Sequence, residues 1–137
     1  MNRSNDMAET NNILLIDDDK FLLDMYTAKF IQQGFSVEAC LSVDDALHAL
    51  KAGNVPKVIL FDITMPEKDG FALLQALHDE KLAPEALKIA LTNQSDDTEK
   101  TKTLSLGADL YIVKASMIPS EVVNIVQETL KKKQGRS

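Results

Sequence analysis

Two short stretches of the chain are apolar at every position, and each stops abruptly on acid. Ile13 to Ile16 ends in Asp17, Asp18 and Asp19, and Val58 to Phe61 ends in Asp62. A strand with one solvated face alternates apolar and polar residues, so an unbroken run fits a strand covered on both faces, as in parallel sheets sandwiched between helices. The acids then mark where these strands leave the core and meet water.

The segments around these runs supply the other elements. From Lys20 onward Leu22, Met25, Tyr26 and Phe30 recur at helical spacing, and Gly34 stands where a helix end takes a left-handed residue. Phe35 to Cys40 reads as the second strand. Ser42 followed by Asp45 is an N-cap signature for a second helix that buries Val43, Ala46, Leu47 and Leu50. Pro66 and Gly70 mark a loop. Phe71, Leu74, Leu77 and His78 form the stripe of a third helix closed by Pro84, and Ile89 to Leu91 is a fourth strand ending in Thr92. Asp96 to Leu106 predicts a fourth helix, but its apolar face is thin and Thr98, Thr101 and Thr103 are weak helix formers. It is expected to be the least stable element. Leu110 to Val113 is the fifth strand, ending in Lys114, and Pro119 opens a last helix carrying Val122, Ile125, Val126 and Leu130.

Five strands alternating with five helices imply parallel strands joined by right-handed crossovers: a three-layer, doubly wound α/β sandwich, for which 2-1-3-4-5 is the common strand order. A chain of 137 residues suits one domain. The expected division is a disordered N-terminal tail over residues 1–11, the domain over 12–131 and a basic C-terminal tail over 132–137. The four cations within Lys131 to Arg136 read as a frayed helix end favoured by the helix dipole.

Composition narrows the function. Fifteen Lys and Arg against 21 Asp and Glu leave a net charge of −6, which repels phosphate backbones, so direct nucleic-acid binding is not expected. Cys40 is the only cysteine, which rules out an internal disulfide and a cysteine-based zinc site and fits a reducing, cytoplasmic setting. No apolar run approaches the ~20 residues needed to cross a membrane, and Met1 to Asn12 lacks a signal-peptide core. His48 and His78 lie on predicted helices away from the strand ends, where surface or packing roles suit them.

In a doubly wound sheet the binding site forms outside the carboxyl ends of the strands, where strand order reverses. The order 2-1-3-4-5 sets the first strand beside the third, so Asp17 and Asp18 face Asp62. An isolated acidic triplet is most often a solvated loop or helix cap. Here, though, the fourth and fifth strands end in Thr92 and Lys114, bringing a hydroxyl and a cation to the same rim. Three carboxylates with ordinary pKa values near ~3.9 repel one another at pH 7 unless a cation neutralises them. An open site built from oxygen ligands alone suits Mg²⁺ better than Ca²⁺ or zinc. With Mg²⁺ and Lys114 binding phosphoryl oxygens and Thr92 donating a hydrogen bond, Asp62 can attack phosphorus in line and become an aspartyl phosphate.

From Ile13 to about Leu130 the sequence resembles the response-regulator receiver domain of two-component signalling, a flavodoxin-like fold. The likeness rests on ILLIDDD, VILFDITMPEKDG around Asp62, ALTN with Thr92, GADLYIVK with Tyr111 and Lys114, and the element order. It implies that Asp62 accepts phosphate from a phosphohistidine on a sensor histidine kinase or phosphotransfer protein, with the domain promoting its own phosphorylation and dephosphorylation. It implies that Asp17 and Asp18 hold Mg²⁺ together with Asp62 and the main-chain carbonyl of Thr64. It further implies that the Thr92 position swings toward the phosphoryl group while Tyr111 turns inward. The face of the fourth helix, fifth strand and fifth helix is thereby altered for a downstream protein or an output domain. Ala115 departs from the family's usual proline after the lysine, Asn93 stands where a small residue is usual, and Thr64 and Gln94 occupy variable positions that influence dephosphorylation.

Three rival readings make different demands. A haloacid-dehalogenase-type phosphatase needs a second Asp two residues after its nucleophile, where Thr64 stands. A flavodoxin-like FMN carrier needs a hydroxyl- and glycine-rich first loop, where Asp17 to Asp19 would repel the anion. A pseudo-receiver would bind partners without phosphorylation, and Asn93 and Ala115 keep that reading open.

Overall fold

The structure, a computed structural model, describes residues 11–135, so residues 1–10 of the tail expected over 1–11 and residues 136 and 137 of the basic tail lie outside the described residues. Asn11, expected in the tail, instead opens the first strand by pairing with Phe35. In chain order the elements are β1 (Asn11–Ile16), α1 (Lys20–Gln32), β2 (Phe35–Cys40), α2 (Val43–Lys51), β3 (Val58–Asp62), α3 (Gly70–Asp79), β4 (Leu87–Thr92), α4 (Asp97–Ser105), β5 (Leu110–Val113), a 3₁₀ turn (Lys114–Ser116) and α5 (Pro119–Gln134). The strands form one sheet in the order β2-β1-β3-β4-β5, each pair parallel. The doubly wound order expected from the sequence is the observed one. Among the described residues no helix is long and apolar enough to cross a membrane.

The two all-apolar runs are the central strands. No residue of Ile13 to Ile16 or Val58 to Phe61 is more than 3% exposed. Alternate side chains of a strand point to opposite faces, and the core divides accordingly. Leu14, Ile16, Ile59 and Phe61 pack with α2 and α3 through residues such as Leu47, Leu50 and Leu74. Ile13, Leu15, Val58 and Leu60 pack on the other face with Leu23, Tyr26 and Phe30 of α1 and Val122, Val126 and Leu130 of α5. Phe30 meets Phe35 edge-on, with ring centroids 5.0 Å apart.

The structure corrects several local expectations. The buried stripe of α1 is Leu23, Tyr26 and Phe30, with Leu22 and Met25 half-buried, so the face is rotated from the expected one. Helix α3 ends at Asp79, well before Pro84. Lys81 enters the left-handed region at φ 54°, while the Leu82 N–H reaches back to the Leu77 carbonyl at 3.0 Å and the Lys81 N–H to that of His78 at 3.3 Å. This is a helix-terminating turn of the Schellman kind, and the apolar contact that fixes it comes from Leu82 packing against the core. His78 is exposed rather than part of the stripe, and Leu73 takes the buried position. At the other end α5 continues to Gln134, so Lys131 to Lys133 belong to its last turn. Buried Leu130 anchors that turn, and the helix dipole favours its cations.

Helix α4 has the thin face its sequence suggests: Thr103 is its one buried residue, and the Thr103 hydroxyl bonds back to the Glu99 carbonyl at 2.7 Å. Its first turn is fixed by Asp96, which accepts from the Glu99 N–H at 2.9 Å, and Lys102 sits 4.2 Å from the centre of the Phe71 ring.

Gly70 is set by close approach. A Cβ there would lie 2.9 Å from the Ile63 Cα, 3.0 Å from the Asp62 carbonyl oxygen and 3.0 Å from the Phe61 ring. The start of α3 is thus pressed onto the strand end that carries Asp62, and the Gly70 N–H donates to the Ile63 carbonyl at 2.8 Å. Gly70→Ala is expected to lower stability by about 1–3 kcal/mol, the usual cost of overpacking. Urea unfolding measures it, and an unchanged midpoint would show that α3 can back away freely.

Candidate functional site at the carboxyl ends of the strands

Parallel pairing of β1 with β3 sets Ile16 opposite Phe61. The next residue of each strand, Asp17 and Asp62, therefore emerges at the same height. The Asp17 N–H donates to the Cys40 carbonyl at 3.1 Å, which fixes its backbone against β2. Asp17 is 6% exposed and Asp62 8%.

The acidic triplet divides its labour. Asp19 caps α1, accepting from the Leu22 N–H at 3.2 Å, and its own N–H donates to Asp17 Oδ1 at 2.9 Å. Asp18 stays exposed beside the buried pair. One carboxylate oxygen from each of Asp17, Asp18 and Asp62 lies within 4.8 Å of the others. Capping, the bland reading of the triplet, thus holds for Asp19, while its two neighbours turn toward Asp62.

Lys114 reaches the same point from the end of β5. Its Nζ, nearly buried, lies 3.3 Å from Asp17 Oδ2 and 3.9 Å from Asp62 Oδ2. The turn that aims it is the 3₁₀ segment Lys114–Ser116, closed by the Met117 N–H on the Lys114 carbonyl at 3.2 Å, with Ala115 in place of proline and no cis peptide bond among the described residues. Burial pushes the Asp62 carboxyl up to about 6. Lys114 opposes that rise, the Asp17 charge adds to it, and the N–H groups of Thr64 and Ile63 oppose it. The Thr64 N–H lies 3.3 Å from Asp62 Oδ1. Burial, and then the charge of Asp17, also pushes the Tyr26 phenol up.

Thr92, 5% exposed at the end of β4, donates its hydroxyl to Glu99 Oε1 at 3.2 Å. Half-buried Tyr111 donates to the same oxygen at 2.7 Å and lies 3.3 Å from the Gln94 carbonyl. Burial, followed by the hydrogen bond and charge of Glu99, pushes the Tyr111 phenol up to about 12. Sequence patterning gives no reason to single out Glu99, which reads as an ordinary acid in the first turn of a helix. Asn93 and Gln94 are exposed, and so are His48 and His78, which lie on α2 and α3.

The donor set fits a hard divalent cation. Three carboxylates converge, Lys114 ion-pairs with two of them, Asp17 and Asp62, and the cluster contains neither His nor Cys.

Comparison with known proteins agrees with this geometry. Residues 13–127 match the family model for the response regulator receiver domain. The regulatory protein VanRc of Enterococcus gallinarum is 32% identical over 125 residues, covering 91% of this chain and 52% of VanRc. The chain spans about half the length of the curated relatives it matches. Among solved structures, a CheY-like response regulator receiver domain protein from Methanospirillum hungatei superposes with a TM-score of 0.84 at 26% identity, covering 94% of this chain and all (100%) of that one. A beryllofluoride-activated DrrB receiver domain superposes with a TM-score of 0.76 at 28% identity, covering 89% and 98% of the two chains. With a parallel sheet in the order β2-β1-β3-β4-β5, an acidic cluster at its switch point and a family match over most of its length, this chain belongs to the response regulator receiver domains, signalling domains of two-component systems.

Proposed function

We propose that Asp62 is a phosphoacceptor that takes a phosphoryl group from a phosphohistidine on a sensor kinase or phosphotransfer protein. The observation that supports this most directly is the meeting of Asp62 with Asp17, Asp18 and Lys114 at one strand-end cleft. A carboxylate oxygen of Asp62 attacks phosphorus in line, and a new O–P bond forms as the P–N bond to the donor imidazole breaks. Lys114 binds a phosphoryl oxygen as charge develops, and Thr92 donates its hydroxyl proton to another.

Asp17, Asp18, Asp62 and the main-chain carbonyl of Thr64 would hold Mg²⁺. The ion supplies positive charge to the phosphoryl oxygens and offsets the repulsion among the carboxylates. Water later hydrolyses the aspartyl phosphate, so the mark is temporary. The signal leaves through the face of α4, β5 and α5 toward a downstream protein or a further segment of a longer chain.

Incubation with acetyl phosphate or phosphoramidate and Mg²⁺, followed by intact-mass measurement, is expected to show one phosphoryl group per chain, lost when EDTA replaces Mg²⁺. No uptake from either donor would refute the assignment. Mg²⁺ itself is expected to bind weakly, with a Kd above the micromolar range because most of its shell remains water. By calorimetry Asp17→Ala should bind it at least ~10-fold more weakly, as loss of one ligand carboxylate demands. Equal affinity would remove Asp17 from the ligand set.

A further inference from the structure

We infer that Glu99 is a positioning residue that holds the site in its resting arrangement, by gripping the Thr92 hydroxyl and the Tyr111 phenol with the same carboxylate oxygen. This deepens the phosphoacceptor reading of Asp62 and rests on it. The two hydrogen bonds, 3.2 Å from Thr92 and 2.7 Å from Tyr111, join the end of β4 to β5 through a side chain of α4. The carboxylate is aimed by the capped first turn of α4, where Asp96 accepts from the Glu99 N–H and the Glu99 carbonyl accepts from Thr103.

One proton links the two partners of Thr92. A threonine hydroxyl has a single hydrogen to donate, and Thr92 gives it to Glu99. It cannot at the same time donate to a phosphoryl oxygen on Asp62, so Glu99 and the phosphoryl group compete for Thr92. When Thr92 turns to the phosphoryl group, α4 loses its tie to β4. With Thr103 as its one buried residue, α4 packs thinly on the sheet, so its capped first turn can shift as a unit and take with it the Glu99 carboxylate that holds Tyr111. The carboxylate thus carries the event at Asp62 to the aromatic ring on β5. Linkage is reciprocal: whatever the phosphoryl group must do to break the Thr92–Glu99 bond, removing Glu99 does beforehand. Loss of the latch should tighten binding of a phosphoryl mimic.

Beryllofluoride with Mg²⁺ is the probe. The chain has two tyrosines and no tryptophan, so its emission reports the tyrosines, and a phenol that donates to a carboxylate is quenched. In the wild type, emission should rise as beryllofluoride saturates the site, and Tyr111→Phe should remove that rise, leaving Tyr26 as background. Glu99→Gln, of the same size but without charge, should start brighter, change little on binding and bind beryllofluoride about 3- to 10-fold more tightly, the range expected for loss of one or two competing charged hydrogen bonds. Glu99→Ala should tighten binding at least as much. A purely structural Glu99 would lower the melting temperature in both variants without tightening binding. That result, unchanged affinity, or weaker binding would overturn the latch while wild-type binding left the phosphoacceptor reading standing. Failure of the wild type itself to bind beryllofluoride would overturn both.

Discussion

Asp62→Asn is expected to abolish phosphoryl uptake and, in the metal-free protein near neutral pH, to raise stability rather than lower it. The first effect follows from loss of the attacking oxygen. The second follows from burial, which pushes the Asp62 carboxyl from an ordinary 3.8 up to about 6. The folded protein then holds that proton more tightly than the unfolded chain does. The contribution to stability is full at pH values below the unfolded pKa and is lost as pH rises through the folded one. A rise of about two units corresponds to no more than about 3 kcal/mol at 1.36 kcal/mol per unit, and partial access to water reduces it. Asn has the same shape and no charge, so it escapes this loss. Urea unfolding in EDTA at pH 5 and pH 8 should show the wild type losing more stability over that interval than the variant. Mg²⁺ should narrow the gap at pH 8 by stabilising the wild type more than the variant, which has one ligand carboxylate fewer. A variant that still takes up phosphorus, or that is less stable than the wild type at pH 8 without metal, would contradict the assignment.

Lys114→Ala should have the largest effect on stability of any change at the site. It removes the ammonium 3.3 Å from Asp17 and 3.9 Å from Asp62 and leaves both carboxylates buried. Breaking a buried pair by deleting one partner costs about 3–5 kcal/mol. Here the lower end is expected, because Asp62, already pushed up to about 6, can take a proton and shed its charge. The loss should therefore be larger at pH 8, where Asp62 is ionised, than at pH 5. Mg²⁺ at millimolar concentration should restore part of it, since a divalent ion can neutralise the same carboxylates. The variant is expected to accept phosphate from small donors yet show a weakened tyrosine response to beryllofluoride. Metal-free stability equal to that of the wild type would mean that Lys114 does not balance the acidic cluster.

The candidate site was legible in the sequence to an unusual degree because the all-apolar runs mark their own ends. A strand buried on both faces admits no polar residue until it emerges, so Asp17, Asp62, Thr92 and Lys114 stood out as first polar residues after apolar strands. Helix limits were less legible. The stripe of α1 could be drawn through Leu22 or Leu23, since neighbouring positions on a helix are both apolar and the sheet decides which one is covered. Pro84 is a plausible helix stop, but the turn at Lys81, fixed by Leu82 packing on the core, ends α3 earlier.

What the sequence determined by itself was the alternation of elements, the buried central strands and the acidic residues at their tips, because periodicity and burial act on each segment separately. Tertiary structure alone decided that Asp19 caps a helix while Asp17 and Asp18 join Asp62, that Gly70 has no room for a methyl group, and that Glu99 joins Thr92 to Tyr111. Each of those facts depends on the separation of atoms brought together by different segments. Such separations are set by how helices settle on the sheet, which no local pattern of residues encodes.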